Sequence, residues 1–389
     1  ISEILKNSIA ANFLQGLFVM LLLAFLYFLL PYMGQPAELL PLMKPYLLIQ
    51  IFSLPFVFMG SPFKQMTDSI NDTSVSMIAT LAANVWNIFF NWVLIYGHLG
   101  FPEMGITGAA LATFSSRFLL LEIYVAVFFL RPKYKEYVGY WKEVSVSREK
   151  VGLLARLGWP IAVQTTMEAA SFTIVVIFIG WFGTNQLAAH EVMISLSNVV
   201  FMAFMGFSNA VAIRVSNYNG LHDMKGVKDA SVAGYEIVVV ISAVVSVVIY
   251  CFRHEVALLF TDNGEVASIV AACVIPLIIY QLGDGLQCTF SNALRGLGDV
   301  EKLMKYSIIA YIVVSIPLSF LCGVVMELGT LGIWMGFPFG LSTAAFLFVR
   351  RFLKVVNYMV QEVLLAFSVA SRSIASARMV TGFLTQYGV

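Results

Sequence analysis

The sequence predicts an all-α, polytopic membrane protein whose helices form two pseudo-symmetric lobes. Three observations lead to this prediction: the composition, the spacing of long apolar stretches and an internal repeat. Sixty per cent of the 389 residues are hydrophobic and 12% are charged, and the mean hydropathy is +0.87. Such values are typical of helical membrane proteins and exclude an ordinary soluble domain. The net charge of +1 does not indicate a nucleic-acid partner.

Ten apolar stretches are long enough to cross a hydrocarbon core of about 30 Å. The loops between them are short, and their charge differs between the two sides of the membrane. When alternate loops are assigned to opposite sides, one side receives only Lys44 and Arg253 among the basic residues. This asymmetry predicts that the other side is cytoplasmic. The predicted spans are residues 9–30, 45–63, 74–97, 106–130, 157–182, 188–213, 231–252, 267–293, 304–326 and 330–349.

The internal repeat relates the first four predicted spans to the last four. The turn Gly105–Gly108 before the fourth span resembles Gly329–Gly332 before the tenth, 224 residues later. Asp72 after the second span likewise resembles Asp299 after the eighth. Residues 157–213 then have no counterpart, so we expect a protein of twelve helices of which the first two are missing from this sequence. A repeat of six spans is parallel, with a ligand site between the halves.

The repeat and the charge pattern divide the chain into four predicted segments. An N-terminal lobe covers residues 1–130 and corresponds to helices three to six of the inferred twelve. Residues 131–152 are polar, basic and rich in aromatic side chains, and we predict a cytoplasmic linker between the lobes. A C-terminal lobe with helices seven to twelve covers residues 153–352. The tail, residues 353–389, is predicted to form an interfacial helix.

Glu168 is the one ionisable residue in the apolar stretch Leu157–Gly183. It lies roughly 18 Å beyond Arg156, the last basic residue before the stretch, and so falls near the middle of the bilayer. An acid at that depth costs about 3 kcal/mol, which makes a functional site the first interpretation. The alternative is a carboxyl group that stays neutral and forms a hydrogen bond to a neighbouring helix for packing.

A second acid, Asp284, lies at a similar depth in the eighth predicted span. It is roughly 16 Å from the cytoplasmic end of that span, about as deep as Glu168. Tyr280, four residues earlier, shares its helical face and places a hydroxyl beside the carboxylate. Two acids at one depth, with a hydroxyl near them, predict a site for a proton or for a hard cation such as Na⁺.

Backbone oxygens are further candidate ligands near Asp284. Pro276 lacks an N–H and so frees a carbonyl one turn earlier, and Gly283 and Gly285 flank the acid without side chains. We expect the two acids to titrate as a unit, because their mutual repulsion favours the form in which one is neutralised. Binding of H⁺ or Na⁺ would relieve that repulsion.

The third predicted span carries amides on one face. Asn84, Asn87 and Asn91 recur at helical spacing in an otherwise apolar stretch. Such a stripe suits either the polar wall of a cavity or hydrogen bonding between helices, and the residues alone leave both open. Arg117 and Glu122 in the fourth span are five residues apart and share a face poorly, so we expect their partners on other helices.

Motifs of soluble enzymes are not found in this sequence. His190 and His254 are each followed by Glu, but a zinc-binding HExxH motif also needs a histidine where Ile194 and Leu258 stand. There is no P-loop, and the short loops leave no room for a catalytic domain. We interpret His190 as a packing histidine with a hydrogen bond.

Three stretches resemble the multidrug and toxic compound extrusion (MATE) transporters. Residues 158–192 resemble the family's seventh helix and the turn after it, in the letters GWPIAVQTTMEAASFTIVVIFIGWFGTNQLAAHEV. Residues 280–300 resemble its tenth helix, in YQLGDGLQCTFSNALRGLGDV. Residues 84–113 resemble its fifth helix and the start of the sixth, in NVWNIFFNWVLIYGHLGFPEMGITGAALAT. Together the resemblance covers most of residues 10–350.

The resemblance implies twelve helices in two lobes around a central cleft, and antiport of organic cations against Na⁺ or H⁺. The acidic residues indicate the NorM-like branch. By position, the implied cation site consists of Glu168, Asp284 and Tyr280, with Na⁺ as a possible ion at the two acids. The implied substrate cleft includes Asn87, Asn91 and Gln164. An acid of the family's first helix, on which several members depend, is not in this sequence.

The sequence therefore predicts a multi-pass protein of the bacterial inner membrane that exports cationic drugs or metabolites. We expect no enzymatic activity, no cofactor besides the coupling ion, no nucleic-acid partner and a monomeric state. One alternative is a flippase for lipid-linked oligosaccharides, which would need a cationic cleft for phosphate. A second alternative is an intramembrane hydrolase, which would turn over without an ion gradient.

Overall fold

The computed structural model of the chain describes residues 1–32 and 40–386, apart from the side chains of residues 32, 254 and 360–386. Within these ranges nine helices are long and apolar enough to cross a membrane, and a bent pair makes a tenth span. The prediction of an all-helical protein with ten spans is thereby confirmed. The helices are α1 (Ser2–Leu29), α2 (Leu40–Ser69), α3 (Thr73–Tyr96), α4 (Gly105–Leu130), α5 (Arg148–Gly180), α6 (Thr184–Gly220), α7 (Met224–Cys251), α8 (Gly264–Ala272 with Val274–Gly296), α9 (Val300–Val325) and α10 (Gly329–Gln386). Short helical segments lie at Leu30–Tyr32, Pro132–Tyr134, Lys135–Gly139 and Arg253–Leu258.

Helix α8 bends by 53° between Ala272 and Val274. The cause lies in Pro276, four residues after Ala272, because a proline ring clashes with the carbonyl one turn earlier and offers it no N–H. The carbonyl that Pro276 frees is therefore located at the bend. It lies twelve residues before Asp284, or about 18 Å along a helix. The expectation that it serves as a ligand beside Asp284 is wrong.

Helix α9 is not a regular α-helix. Its segments Ile308–Ser315 and Leu321–Val325 are π-helical, and the α-helical turn Ile316–Phe320 separates them. The sequence predicts an unbroken span here, since the apolar pattern does not reveal wide turns. Pro317, which has no N–H to donate, lies at the junction between the two π-helical segments. Wide turns of this kind often occur at functional sites.

Helix α10 runs on past the predicted span 330–349. Gly329–Met359 is the part that is apolar enough to cross a membrane, and the helical backbone continues to Gln386. The tail at 353–389 thus begins as a direct extension of the last span. Residues 387–389 and the side chains of 360–386 lie outside the described residues, so the interfacial position of the tail stays a prediction.

The chain divides into two compact units, Ile1–Arg156 and Leu157–Val389. In the first unit α4 packs against α2 and α3, and α1 packs against α2. Arg117 of α4 donates from Nη1 to Oε1 of Gln50 at 2.8 Å and to the hydroxyl of Ser53, both on α2. The expectation that Arg117 has its partners on another helix is confirmed.

The polar segment after α4 folds back onto the first unit. The buried Tyr134 donates its hydroxyl to Oδ2 of Asp72 at 2.6 Å, and Arg131 and Lys133 lie 2.9 Å and 3.1 Å from the same oxygen. The hydrogen bond from Tyr134 is the main reason why the pKa of Asp72 lies below its usual value. Burial, together with the Asp72 carboxylate, raises the pKa of Tyr134 to about 12. These contacts fix the loop between α2 and α3 to the end of α4.

Equivalent turns begin the last span of each half. Gly105 and Gly329 have φ of +51° and +59°, in the left-handed region that favours glycine. The loop aspartates are also equivalent in their bonding. Asp299 receives two hydrogen bonds from Arg351 of α10, just as Asp72 is bonded by the arginine that follows α4. The residues on which the internal repeat was predicted thus share conformation and partner type.

Two glycines allow α4 and α10 to approach the preceding spans closely. A Cβ on Gly108 would lie 2.5 Å from the carbonyl oxygen of Leu94 in α3, and one on Gly332 would lie 2.3 Å from that of Cys322 in α9. Real Cβ atoms do not come that close to a backbone oxygen. In the second unit α8 packs against α6, α7 and α10 and is its most deeply buried helix.

Candidate functional site

The second unit contains a partly open cavity of about 320 Å³ between α5, α6 and α8. Both predicted acids line it, Glu168 from α5 and Asp284 from the straight part of α8. The other lining side chains include polar groups of α5 and α6 and an aromatic wall: Thr165, His190, Glu191, Ser197, Asn198, Phe172, Phe201 and Tyr280. Two acids from helices more than one hundred residues apart therefore meet in one chamber.

Glu168 is half-buried and surrounded by hydrogen-bond donors. The hydroxyl of Tyr311 on α9 and the side-chain amide of Gln287 on α8 lie within hydrogen-bonding reach of its carboxylate, and the guanidinium of Arg295 attracts it electrostatically. Gln287 and Tyr311 also bond to each other, with Nε2 and the hydroxyl oxygen 3.0 Å apart. Polar groups from two further helices therefore face this carboxylate.

Asp284 is 3% exposed and has fewer hydrogen-bond donors around it than Glu168. Cys288, one turn later, donates its thiol to Oδ1 of Asp284 at 3.7 Å, a weak bond because a thiol is a weak donor. The flanking glycines allow neighbouring helices to pack closely. A Cβ on Gly285 would lie 2.4 Å from a methyl carbon of Val238 in α7, and one on Gly283 would lie 3.3 Å from Leu341 in α10.

Tyr280 lies on the face of α8 that carries Asp284, as predicted, and lines the same cavity. Its ring centroid lies 5.5 Å from Trp334 and 6.0 Å from Phe337, both on α10. Phe172 of α5 lies 6.4 Å from Tyr280 and stacks on Phe337 at 5.1 Å. Edge-to-face and offset contacts at these distances are favourable. The tyrosine is therefore fixed in an aromatic cluster beside the acids.

His190 is buried next to this cluster. Its Nδ1 accepts a hydrogen bond from Nε1 of Trp334 at 3.2 Å. Because the indole N–H can only donate, Nδ1 carries a lone pair and the imidazole is neutral. The interpretation of His190 as a packing histidine with a hydrogen bond is confirmed.

Gln164 does not line the cavity, although it lies one turn before Glu168 on α5. It is 1% exposed, and its Oε1 accepts a hydrogen bond from Nη2 of Arg295 at 3.1 Å. The amide group thus connects α5 to the C-terminal end of α8. Its assignment to a substrate cleft stays a prediction.

Asn87 and Asn91 belong to α3 in the first unit and are half-buried. Nδ2 of Asn91 donates to Oδ1 of Asn87 at 3.0 Å. The two amides therefore form one polar patch, as their spacing predicts. Their role in binding substrate stays a prediction.

Sequence reasoning missed three residues of this site: Tyr311, Gln287 and Arg295. Gln287 follows Asp284 by three residues, so helical spacing could have placed it near the acid. Arg295 lies in the last turn of α8, where a basic residue is common and does not by itself indicate a site. Tyr311 lies in a π-helical segment, and no periodic pattern indicates which way it points.

Comparison with known proteins agrees with this architecture. The family model described as MatE matches residues 1–93 and 160–321. The multidrug resistance protein NorM of Aliivibrio fischeri is 28% identical over 339 residues, which are 86% of this chain and 74% of that protein. A probable multidrug resistance protein NorM of Rhizobium meliloti is 31% identical over 341 residues, with 85% and 72% covered. Among solved structures, a MOP superfamily transporter from Pyrococcus furiosus superimposes with a TM-score of 0.84 at 19% identity, covering 92% of this chain and 79% of that one.

Proposed function

The chain belongs to the MATE family of multidrug efflux transporters, and from this premise we propose that it is an antiporter that exports organic cations in exchange for Na⁺ or H⁺. The family match and the NorM relatives confirm the predicted NorM-like branch. They make the protein a multi-pass transporter rather than an enzyme. The relatives are bacterial, in agreement with the predicted inner-membrane location.

The observation that carries the proposal is the meeting of Glu168 and Asp284 in one cavity. Two carboxyl groups in a chamber of low dielectric attract cations. When both are ionised, they repel one another. An organic cation and a coupling ion would both relieve that repulsion. Competition for the same acids then makes the binding of one ligand exclude the other.

The aromatic side chains favour a flat, cationic substrate. Phe172 and Tyr280 line the cavity beside the acids, and aromatic faces attract cations by about 0.5–2 kcal/mol. A cavity of about 320 Å³ is at the lower end of the range for small-molecule sites. We propose that the amide side chains of Asn87, Asn91 and Gln164 supply polar contacts to the substrate.

The two compact units, Ile1–Arg156 and Leu157–Val389, would act as the two lobes. Each ligand drives the exchange through its different affinities for the inward- and outward-open states. If one Na⁺ or H⁺ enters per cycle, the membrane potential contributes about 2.3 kcal/mol per 100 mV. In this proposal the protein works as a monomer and needs no cofactor besides the coupling ion.

The test is ethidium efflux from membrane vesicles under separately imposed Na⁺ and pH gradients. Wild type should export ethidium under at least one gradient, whereas Glu168→Gln and Asp284→Asn should lose the gradient-driven part. Glu122→Gln is a matched control, because Glu122 is an exposed acid in another transmembrane helix, α4. Undiminished gradient-driven efflux in both acid variants would remove these residues from the mechanism.

A further inference from the structure

A groove of about 520 Å³ lies between α6 and α7. The two helices are joined by the short loop at residues 221–223, so they form an antiparallel hairpin. The groove shares no lining residue with the cavity that holds Glu168 and Asp284. It is therefore a separate candidate site in the second unit.

Two contacts fix how the helices are aligned along the groove. Gly226 of α7 packs against the ring of Tyr218 of α6, and Gly234 packs against the side chain of Val211. Since the helices run antiparallel, each step towards the loop on α6 is matched by a step towards the loop on α7. Arg214 of α6 is therefore level with Asp229 of α7.

The lining changes from apolar to charged along this axis. Phe207 and Ile237 line the end that is far from the loop, and the small side chains of Ala210 and Ala233 leave space between them. Phe207 lies seven residues before Arg214, or about 10 Å along the helix. The groove thus has an apolar half of that length, followed by a charged half.

Four charged residues line the half next to the loop: Arg214, Asp223, Lys225 and Asp229. All four are exposed, and none of them forms a salt bridge in the part of the chain that the structure describes. Asp223 accepts a hydrogen bond from the backbone N–H of Gly226 at 2.9 Å, which caps α7. Two basic and two acidic side chains at neutral pH make this half neutral overall.

The charged half is located near a membrane surface. Both helices are long and apolar enough to cross the bilayer, and α6 has 37 residues, or about 55 Å, which exceeds a hydrocarbon core of about 30 Å. Arg214 lies six residues before the end of α6, so it is about 9 Å from that end. A groove that is apolar towards the membrane interior and charged towards its surface has the polarity of a phospholipid.

We propose that this groove binds one phosphatidylethanolamine molecule, with its phosphate at Arg214 and Lys225, its ammonium group at Asp229 and one acyl chain between Phe207 and Ile237. Arginine and lysine form charge-assisted hydrogen bonds with phosphate, and a carboxylate accepts them from an ammonium group. The neutral sum of the lining charges matches a zwitterionic head group. The site is independent of the proposed antiport.

The same chemistry disfavours the other common head groups. Phosphatidylcholine carries a trimethylated nitrogen without an N–H, so it cannot donate a hydrogen bond to Asp229. Phosphatidylglycerol has a net negative charge and no cation, so Asp229 repels it and has no partner. We therefore expect phosphatidylethanolamine to bind about fivefold more tightly than either, which is the effect of one exposed ion pair.

Native mass spectrometry of the full chain in detergent gives the test, because each bound lipid adds its own mass. The protein is titrated separately with the three lipids, all with palmitoyl and oleoyl chains, and the Kd of the first binding step is compared. Equal Kd values for phosphatidylethanolamine and phosphatidylcholine would overturn the proposal. Tighter binding of phosphatidylglycerol would also overturn it, since it would mean that the basic residues act alone.

Asp229→Asn tests the contact with the ammonium group. This change leaves the groove with a net positive charge, so phosphatidylglycerol should become at least as tight a ligand as phosphatidylethanolamine. Glu236→Gln is the matched control, because Glu236 is an exposed acid of the same helix that does not line the groove. A lipid order that is the same in both variants would refute the role given to Asp229.

Lys225→Gln tests the contact with the phosphate. It should raise the Kd of phosphatidylethanolamine about fivefold. Lys228→Gln should leave this Kd unchanged, because Lys228 is exposed three residues later on α7 and does not line the groove. Equal Kd values for the two lysine variants would contradict the assigned phosphate site.

Ala233→Leu tests the place of the acyl chain without touching a charge. The larger side chain fills the apolar half, so all three lipids should bind more weakly while their order is kept. Ala162→Leu is the control, at an exposed position of α5 outside the groove. Unchanged affinity in Ala233→Leu would place the chain elsewhere and overturn the proposal. Size-exclusion chromatography ensures that only folded variants are compared.

Discussion

Gln287 and Tyr311 are bonded to each other across α8 and α9, with the amide Nε2 and the hydroxyl oxygen 3.0 Å apart, and both reach the carboxylate of Glu168. Tyr311 is 1% exposed, so no bulk water replaces either bond. The pair connects the acid of α5 to two helices that the sequence places far from it. A substitution of either residue should therefore alter the binding of a cation at Glu168.

Tyr311→Phe removes the hydroxyl but keeps the ring that packs in the core. A hydrogen bond to a charged group contributes about 1.5–3 kcal/mol, so we expect gradient-driven ethidium efflux to fall about tenfold or more. The matched control is Tyr250→Phe, at an exposed tyrosine near the end of α7. Equal efflux rates for the two variants would contradict a role for the Tyr311 hydroxyl.

Asp72→Asn should destabilise the first unit in a manner that depends on pH. The pKa of Asp72 is lowered in the folded protein, chiefly by the hydrogen bond from Tyr134. Its ionised form therefore stabilises the fold above the unfolded pKa of about 3.9, and this contribution is lost as the pH falls through the lower folded pKa. At pH 7 we expect a loss of about 2 kcal/mol relative to wild type.

The measurement is thermal unfolding in detergent between pH 7 and pH 3.5. The difference between wild type and Asp72→Asn should be constant down to about pH 5 and shrink below about pH 4. Asp262→Asn, at an exposed position in the second unit, should show no such difference. A gap that widens on acidification would contradict the sign of the pKa change.

Gly108→Ala and Gly332→Ala should each reduce stability. The added methyl group would lie 2.5 Å and 2.3 Å from a backbone oxygen of the neighbouring helix, and backbone cannot rotate away as a side chain can. Overpacking of this kind costs about 1–3 kcal/mol. Gly206→Ala in α6 is the control, since nothing lies within 4 Å of its added carbon. Thermal unfolding of all three variants should separate the two equivalent glycines from the control.

Phe172→Leu should weaken ethidium binding. Phe172 lines the cavity and stacks on Phe337 with centroids 5.1 Å apart. Loss of an aromatic face costs about 1–2 kcal/mol for a cationic aromatic ligand, or roughly a tenfold rise in Kd. Phe346→Leu, at an exposed position of α10, is the control. A Kd equal to that of the control would place the ligand elsewhere.

The sequence predicts those site residues whose position in the membrane is energetically costly. Glu168 and Asp284 stand out because a carboxyl group inside an apolar span is costly and usually has a function. Tyr280 follows from helical spacing to Asp284. The bend at Cys273 could also have been predicted, because Pro276 sits inside an apolar stretch.

The remaining part depends on tertiary packing, which a linear pattern does not contain. Gln164 lies one turn before Glu168, and nothing local indicates that its Oε1 accepts a hydrogen bond from Arg295 of α8. Gly283 and Gly285 could equally have exposed backbone oxygens or allowed close approach of α7 and α10. Only the neighbouring helices decide between these possibilities.

The wide turns of α9 have a consequence for how this helix can change in evolution. Tyr311 reaches Glu168 from within the segment Ile308–Ser315, where each turn holds one residue more than an α-turn. Loss or gain of a single amino acid before Tyr311 would rotate its side chain by about 100° around the helix axis. Homologous sequences should therefore tolerate substitutions along this span. They should have no insertions or deletions between the loop at Asp299 and the tyrosine.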